Sequence, residues 1–292
     1  MTDRSDILRA LTARLAGRRL IVVSNREPYV HRHTDDGVKV ERPSGGLVAA
    51  LDPVMQAARG TWIAWGNGDA DFEVSNDLGR IQVPPGQAAY TLARVRLTPA
   101  EVEGYYYGYS NQALWPLCHM AMEHARFRRR AFALYESANQ RFADAVLREA
   151  DKDALVWVHD YHLALVPRML RAARASLFVM HFWHIPWPAW DVFRICPQSV
   201  DLLEGLLGND LIGFQHPRDV EHFLECAERE LGARVDREEN VIEYDGRLIR
   251  AEAFPISVDY QTLDDRARSD ASLTLTAIIF LTAPPYLSAA TE

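Results

Sequence analysis

Four short runs hold most of the side chains that could do chemistry: Ser24-Asn25-Arg26-Glu27-Pro28, Pro43-Ser44-Gly45-Gly46-Leu47, His159-Asp160-Tyr161-His162 and His181-Phe182-Trp183-His184. An arginine suits phosphate because its guanidinium offers paired N–H donors. Two glycines at a helix start leave backbone amides free to face an anion, with the helix dipole in favour and no Cβ in the way. An aspartate and a histidine suit sugar hydroxyls, and indole faces suit the apolar faces of a pyranose. The mixture reads as a phosphosugar or nucleotide-sugar site. No GxGxxG, GxxxxGK[ST] or GxSxG occurs, and no nucleophile stands beside a base. His159/His162 and His181/His184 are each three apart, but they lie where strands end, and a metal would want helical placement or four convergent ligands. No metal and no cofactor is expected.

These residues must be positioned by strands. Ala154–Val158 and Leu177–Met180 have the length of buried parallel strands. A helical pattern around Leu170 and Arg171 joins them, so the pair makes one βαβ unit and both polar clusters leave the sheet at one edge. Ligands of open α/β sheets bind at that edge. Asp160 and His184 are therefore expected at the rim of one crevice, with Pro186 and Pro188 stiffening the exit. Leu20–Val23 is a third buried strand, ending at Arg26. Residues 29–42 read as a loop carrying Asp35-Asp36-Gly37, and Gly45-Gly46 open a helix to about Ala58. Further strands are predicted at Thr61–Trp65, Ile81–Val83, Tyr90–Leu97 and Asp210–Phe214. Val241–Tyr244 and Arg247–Ile249 form a type I′ hairpin around Asp245-Gly246, and Ala253–Val258 is a last strand broken by Pro255. Helices are predicted over residues 1–18, from the capping box Thr98-Pro99-Ala100-Glu101, over Phe127–Ala150, from near Pro167, and over Ser199–Leu207 and Pro217–Leu231. The aromatic stretch Tyr105–Asn111, followed by Trp115, is either a pocket wall or packing on the core, and packing is preferred for most of its tyrosines. The fold class is α/β, a parallel sheet with helices on both faces.

The chain has 292 residues, 48% hydrophobic and 25% charged, an ordinary globular composition for one large domain or two small ones. A net charge of −8 argues against nucleic acid as a partner. Arg126, Arg128, Arg129 and Arg130 read as a solvated helix face. Cys118, Cys196 and Cys226 are far apart without a CxxC, which fits free thiols in a reducing cytosol. The N-terminus shows no apolar signal-peptide core. The expected localisation is cytoplasmic, with no membrane partner. Beyond Asp270 the composition changes, and the apolar run Ser272–Leu281 is too short to span a bilayer.

In these residues the sequence resembles glycosyltransferase family 20, the retaining glucosyltransferases that make trehalose 6-phosphate. The matching pieces are VVSNREP (22–28), SGGL (44–47), TWIAWG (61–66), YYYGYSNQALWPLCH (105–119), VWVHDYHLALVPRMLR (156–171), FWHIPWP (182–188), LLEGLLGNDLIGFQH (202–216) and EAFPISVD (252–259), with order and spacing agreeing over about 19–262. The resemblance implies a GT-B fold, two Rossmann-like domains across a cleft, of which this chain matches the N-terminal one. It divides the chain into a lead-in helix (1–18), an acceptor-binding domain (19–262) and a divergent tail (263–292). It assigns Arg26, Trp65, Tyr106, Trp115 and Asp160 to the acceptor glucose 6-phosphate, with Arg26 on its phosphate; at the tryptophan, Trp62 and Trp65 both remain open. Gly45 and Gly46 would meet the diphosphate of a nucleotide-glucose, with UDP-glucose expected, and His184 the donor glucose. His184 and Asp160 are thereby the candidate catalytic residues.

The implied mechanism has no covalent protein nucleophile: the acceptor hydroxyl attacks on the face the diphosphate leaves. Ser257-Val258 replace the family's more usual Gly-Ile, and residues 263–292 resemble neither the Arg/Lys motif nor the acidic loop of the family's second domain. The chain alone is therefore expected to have little transferase activity, and a separately supplied C-terminal domain or a homo-oligomer is the expected partner. The alternatives are a non-catalytic sugar-phosphate-binding or partner module, and a sister synthase with another acceptor such as glycerol 3-phosphate.

Overall fold

The computed structural model describes residues 4–256, 264, 265, 267 and 268. The chain divides into two compact units, Met1–Phe254 and Pro255–Glu292. In the second, Asp264 and Arg268 form an ion pair of 3.1 Å. The predicted apolar run Ser272–Leu281 lies outside the described residues.

The first unit is built on one ten-stranded sheet. In chain order its strands are β1 (Leu20–Ser24), β4 (Thr61–Trp65), β5 (Arg80–Val83), β6 (Tyr90–Val95), β7 (Leu155–His159), β8 (Phe178–Phe182), β9 (Leu211–Phe214), β10 (Arg234–Asp236), β11 (Val241–Tyr244) and β12 (Arg247–Ala253). The remaining two, β2 (Val30–Thr34) and β3 (Gly37–Glu41), pair only with each other. The spatial order is β10-β11-β12-β9-β8-β7-β1-β4-β6-β5, and every pairing from β12 to β6 is parallel. From β1 the chain moves outward through β4 and β6, then returns to the other flank of β1 with β7. The strand order thus reverses between β1 and β7, and the crevice of a doubly wound sheet lies at such a switch point.

The alternating side chains of the strands fill two cores. Leu20, Val22, Trp62, Ala64 and Leu92 pack with helices α1 (Arg4–Leu15) and α2 (Gly46–Ala58). Ile21, Val23, Ile63, Ala93 and Val95 pack on the opposite face, with a π-helix over Val102–Leu114 and the long helix α3 (Arg129–Glu149). Helices α4 (Val166–Ala173), α5 (Ser199–Leu206) and α6 (Pro217–Leu231) complete that second core. Helices on both faces of a mainly parallel sheet are the expected class.

Three local readings need correction. Residues 29–42 are an antiparallel ribbon, β2–β3, where a loop was expected. β3 is exposed along its whole length, and its Val38-Lys39-Val40 alternation is too short to stand out beside the Asp35-Asp36-Gly37 turn. The segment predicted as strand Ala253–Val258 is strand only at Ala253, the end of β12; residues 254–256 are not strand, and 257–258 lie outside the described residues. The short edge strand β10 was not expected. The Asp245-Gly246 turn is as predicted, both residues having the positive φ of type I′ (49° and 70°).

The Thr98 capping box is present, with Thr98 and Glu101 bonded to each other's backbone N–H. The helix it opens winds on as π. Glycines let that helix lie against α3: a Cβ on Gly104 would fall 2.4 Å from Leu134, and one on Gly108 3.1 Å from the Ala131 Cβ. Tyr105 and Tyr109 are buried in the core, Tyr106 is half-buried and Tyr107 exposed, so the aromatic stretch is both core and surface.

Candidate functional site

Arg26 leaves β1 on a turn held from several sides. The Ser24 hydroxyl donates to the Arg26 carbonyl (2.7 Å) and accepts from the buried indole of Trp62 (2.8 Å). Tyr105, on the π-helix, donates its hydroxyl to Asn25 (2.9 Å). The exposed Arg26 guanidinium donates to the Ser44 carbonyl (3.2 Å), and a Cβ on Gly45 would come within 3.2 Å of its Nη1. Gly45 therefore makes room for the arginine, while Gly46 faces open space. Among the described residues Arg26 has no carboxylate partner. Asp52 fixes α2, whose first residue is Gly46, by accepting from Tyr90 (2.6 Å), Arg42 (2.7 Å), Gln56 (2.9 Å) and Tyr29 (3.2 Å).

Behind the turn lies a buried ionic knot that sequence reasoning missed. The Arg94 side chain has no exposed surface. It donates to Glu27 (2.9 Å), to the Asp71 carbonyl (2.8 Å), Ser75 (2.9 Å) and the Tyr29 carbonyl (2.9 Å), and pairs with the Asp71 carboxylate at 3.0 Å. His31 Nδ1 stands 2.7 Å from Arg94 Nη2. Glu27 also accepts from the Asn67 N–H (3.1 Å), and Asp71 accepts from the N–H groups of His31 and Gly68. One arginine thus ties the loop after β1 to the loop after β4. Burial, with a hydrogen bond to Asp71, pushes the Glu27 carboxyl up to about 8 despite Arg94. Asp71 is held below the usual carboxylate range: burial pushes it up, but bonds from Glu27 and His31 outweigh that. Burial, then Arg94, lowers His31. At neutral pH the knot holds one cation, one carboxylate and one shared proton. Arg94 inside an apolar strand was the available signal.

The second half of the site follows β7 and β8. Asp160 has φ 72° and ψ 169°, a conformation that is almost the preserve of glycine. Its carboxylate accepts from the Tyr161 N–H at 3.0 Å and from the His184 N–H. Burial nevertheless pushes it up to about 7. Its own N–H reaches the Phe182 carbonyl (2.8 Å), locking it across to β8. His184 Nε2 lies 3.1 Å from Nδ1 of the buried His159, and His181 Nε2 donates to the Asp160 carbonyl (3.1 Å). Burial lowers all four imidazoles: His184 to about 4, His181 and His162 to about 3, and His159 well below its ordinary value. All are uncharged at neutral pH.

Aromatic rings close the wall between the halves. Tyr106 stacks on His162 (5.7 Å between centroids, 14° between planes), touches Trp65 (5.8 Å), and His162 stacks on Tyr161 (4.0 Å). The Tyr161 hydroxyl donates to Asn111 (3.1 Å). The i→i+5 winding puts Tyr106 and Asn111 on one side of the π-helix and turns Tyr105 and Tyr109 into the core. π segments are frequent at functional sites.

Of the expected residues, Arg26 and Gly45 touch. Trp65 and Tyr106 touch, and Tyr106 reaches Asp160's neighbours through His162; Asp160 and His184 are bonded. Between the two tryptophans, Trp62 is fully buried beneath the turn and Trp65 stands half-buried at the strand end, where a ligand could meet it. Trp115 is exposed and stacks on His119 (4.0 Å), with no contact to the other site residues among those described. Among the described residues, no group of three or more His, Cys, Asp or Glu could hold a metal ion. Cys118, Cys196 and Cys226 are free and buried. Among the described residues, no helix is long and apolar enough to cross a membrane.

The chain is thus a doubly wound α/β domain whose switch-point edge carries an arginine with no carboxylate partner among the described residues, a helix start, a strained aspartate and stacked rings. The match to the family model of glycosyltransferase family 20 spans residues 18–277, and the chain belongs to that family. It is 39% identical over 269 residues to a trehalose-6-phosphate synthase of Mycolicibacterium vanbaalenii, covering 89% of this chain and 54% of the relative. Among solved structures it is similar to an alpha,alpha-trehalose-phosphate synthase (UDP-forming) of Burkholderia xenovorans in complex with glucose-6-phosphate. There the identity is 29% and the TM-score 0.73, over 90% of this chain and 56% of the other. It is also similar to an E. coli trehalose-6-phosphate protein bound with UDP-2-fluoro glucose, at 28% identity and TM-score 0.74, over 89% and 53%. The chain spans about half the length of the curated relatives it matches.

Proposed function

We propose that this chain supplies the acceptor side of a retaining glucosyl transfer from UDP-glucose to glucose 6-phosphate, giving trehalose 6-phosphate. The observation that carries the reading is the Arg26 guanidinium, parked on a carbonyl at the start of α2 with no carboxylate partner, beside the wall that leads to Asp160. Arg26 takes the acceptor phosphate as a charge-assisted, paired donor. The Asp160 carboxyl accepts from sugar hydroxyls. Trp65, Tyr106 and Trp115 offer ring faces to the pyranose. Gly45 and Gly46 leave the amides at the start of α2 to the donor's diphosphate, and His184 meets the donor glucose. Such a site works by holding the acceptor hydroxyl against the anomeric carbon and by stabilising the departing diphosphate. Residues 19–262 form the acceptor domain, and the rest of the grip on the donor comes from the half of the fold that the relatives carry beyond the matched region.

The experiment is a titration of the chain with glucose 6-phosphate, followed by backbone amide shifts, beside an assay of UDP release. Saturable shifts at Arg26, Tyr106 and Asp160, with turnover close to background, are the expected result. Saturation by glycerol 3-phosphate and none by glucose 6-phosphate would move the reading to a sister synthase.

A further inference from the structure

His184 is held at two points by consecutive residues of one strand end. Its backbone N–H bonds the Asp160 carboxylate, and its ring Nε2 meets Nδ1 of His159 at 3.1 Å. One of these two nitrogens carries the proton between them. The other nitrogen of His159, Nε2, is buried and has no hydrogen-bond partner. His159 itself is 1% exposed, so bulk solvent does not reach it. A buried N–H without an acceptor is the rarer and costlier orphan, whereas a bare ring nitrogen forgoes only an acceptor's role. His181 follows the same rule. Its Nε2 faces the Asp160 carbonyl and must be the donor, and the nitrogen left buried without a partner, Nδ1, is the bare one.

We propose that His159 is a positioning residue that fixes His184 as its Nδ1–H tautomer. The bare Nε2 of His159 leaves its proton on Nδ1, which donates to His184 Nε2. The proton of His184 then sits on Nδ1, the nitrogen that no protein group bonds among the described residues. Resting on the reading that His184 meets the donor glucose, this means that His184 presents an N–H donor to a sugar hydroxyl oxygen and cannot take a proton there. The buried partner decides the polarity of the exposed nitrogen.

The test is a two-bond proton–nitrogen correlation spectrum of the ligand-free chain, labelled with 15N at histidine, at neutral pH. His159 and His184 are both expected in the Nδ1–H pattern. An Nε2–H pattern, an imidazolium or an even average at His184 would overturn the proposal. His159→Asn keeps a side-chain N–H donor near His184 and should retain the pattern, while His159→Phe should lose it. Retention in a folded His159→Phe chain would overturn the proposal, and should that variant not fold, the wild-type spectrum decides alone. These spectra involve no ligand, so they succeed or fail separately from the glucose 6-phosphate titration.

Discussion

Two buried polar clusters lie at the carboxyl edge of the same sheet. Around Arg94 the two carboxylates, the imidazole and the guanidinium are all bonded, and the side chains of Arg94, Glu27 and Asp71 have no exposed surface. Around Asp160, ring nitrogens of His159, His162, His181 and Trp183 are buried without a hydrogen bond, that of His162 standing 3.6 Å from the Asp160 carboxylate, and Asp160 itself holds a strained backbone. The first cluster spends its polar groups on holding two loops together. The second keeps polar capacity and strain unspent, which is where proteins put function. Charge divides the same way, with ions in the knot and only neutral imidazoles beside Asp160.

The largest effect should come from breaking the knot. Arg94→Met leaves the negative charge shared by Glu27 and Asp71 buried without its cation and should cost about 3–5 kcal/mol in denaturant unfolding. A loss under about 1 kcal/mol would mean the knot holds nothing. Arg26→Ala should do the reverse. A bond to a charged group is worth about 1.5–3 kcal/mol, so affinity for glucose 6-phosphate should fall roughly 10- to 150-fold. Because Arg26 is exposed and bonds only a carbonyl, stability should change by less than about 0.5 kcal/mol. Equal binding by wild type and variant would remove Arg26 from the site.

The strain at Asp160 gives the next contrast. Asp160→Gly and Asp160→Ala lose the same carboxylate and should both lose sugar-phosphate binding. Only Ala keeps a side chain at φ 72° and ψ 169°. The Gly variant should therefore be the more stable by about 1–2 kcal/mol, against the usual order. Melting curves of the pair decide it, and an Ala variant as stable as Gly would show that the backbone there stores no strain.

What the sequence made legible follows from the same contrast. Strand ends were visible because Leu20–Val23 and Leu177–Met180 are continuous apolar runs, and the residues breaking them could be placed at one edge. The winding of the π-helix was not visible: Tyr105 and Tyr109 recur at a spacing that suits an α-helix equally. Only Val30 and His31 of the ribbon β2–β3 are buried, so its core-facing stretch is too short to read as a strand. The knot was invisible because its members lie far apart, Arg94 and Glu27 being 67 residues distant in sequence. Convergence at the crevice needed only strand ends to be known. Pairing inside the knot needed the fold.

The most diagnostic effect is in the pH dependence of the knot, because it is read as a slope and not as a single loss of stability. Glu27 titrates near 8 in the folded chain, against an ordinary value of 4.5. Between those values the folded state keeps a proton that the unfolded chain releases, so this group's contribution to stability falls as pH rises, by up to about 1.4 kcal/mol per pH unit. Below the ordinary value both states are protonated and the contribution is flat. Glu27→Gln mimics the protonated acid toward Arg94 and Asp71 and loses the Asn67 N–H bond. That loss is a constant offset, whereas the slope is not. The variant's stability should therefore decline less steeply than wild type between about pH 5 and 8, read from denaturation midpoints across that range. Parallel profiles would mean that Glu27 is ionised throughout and that the knot carries two carboxylates against one arginine.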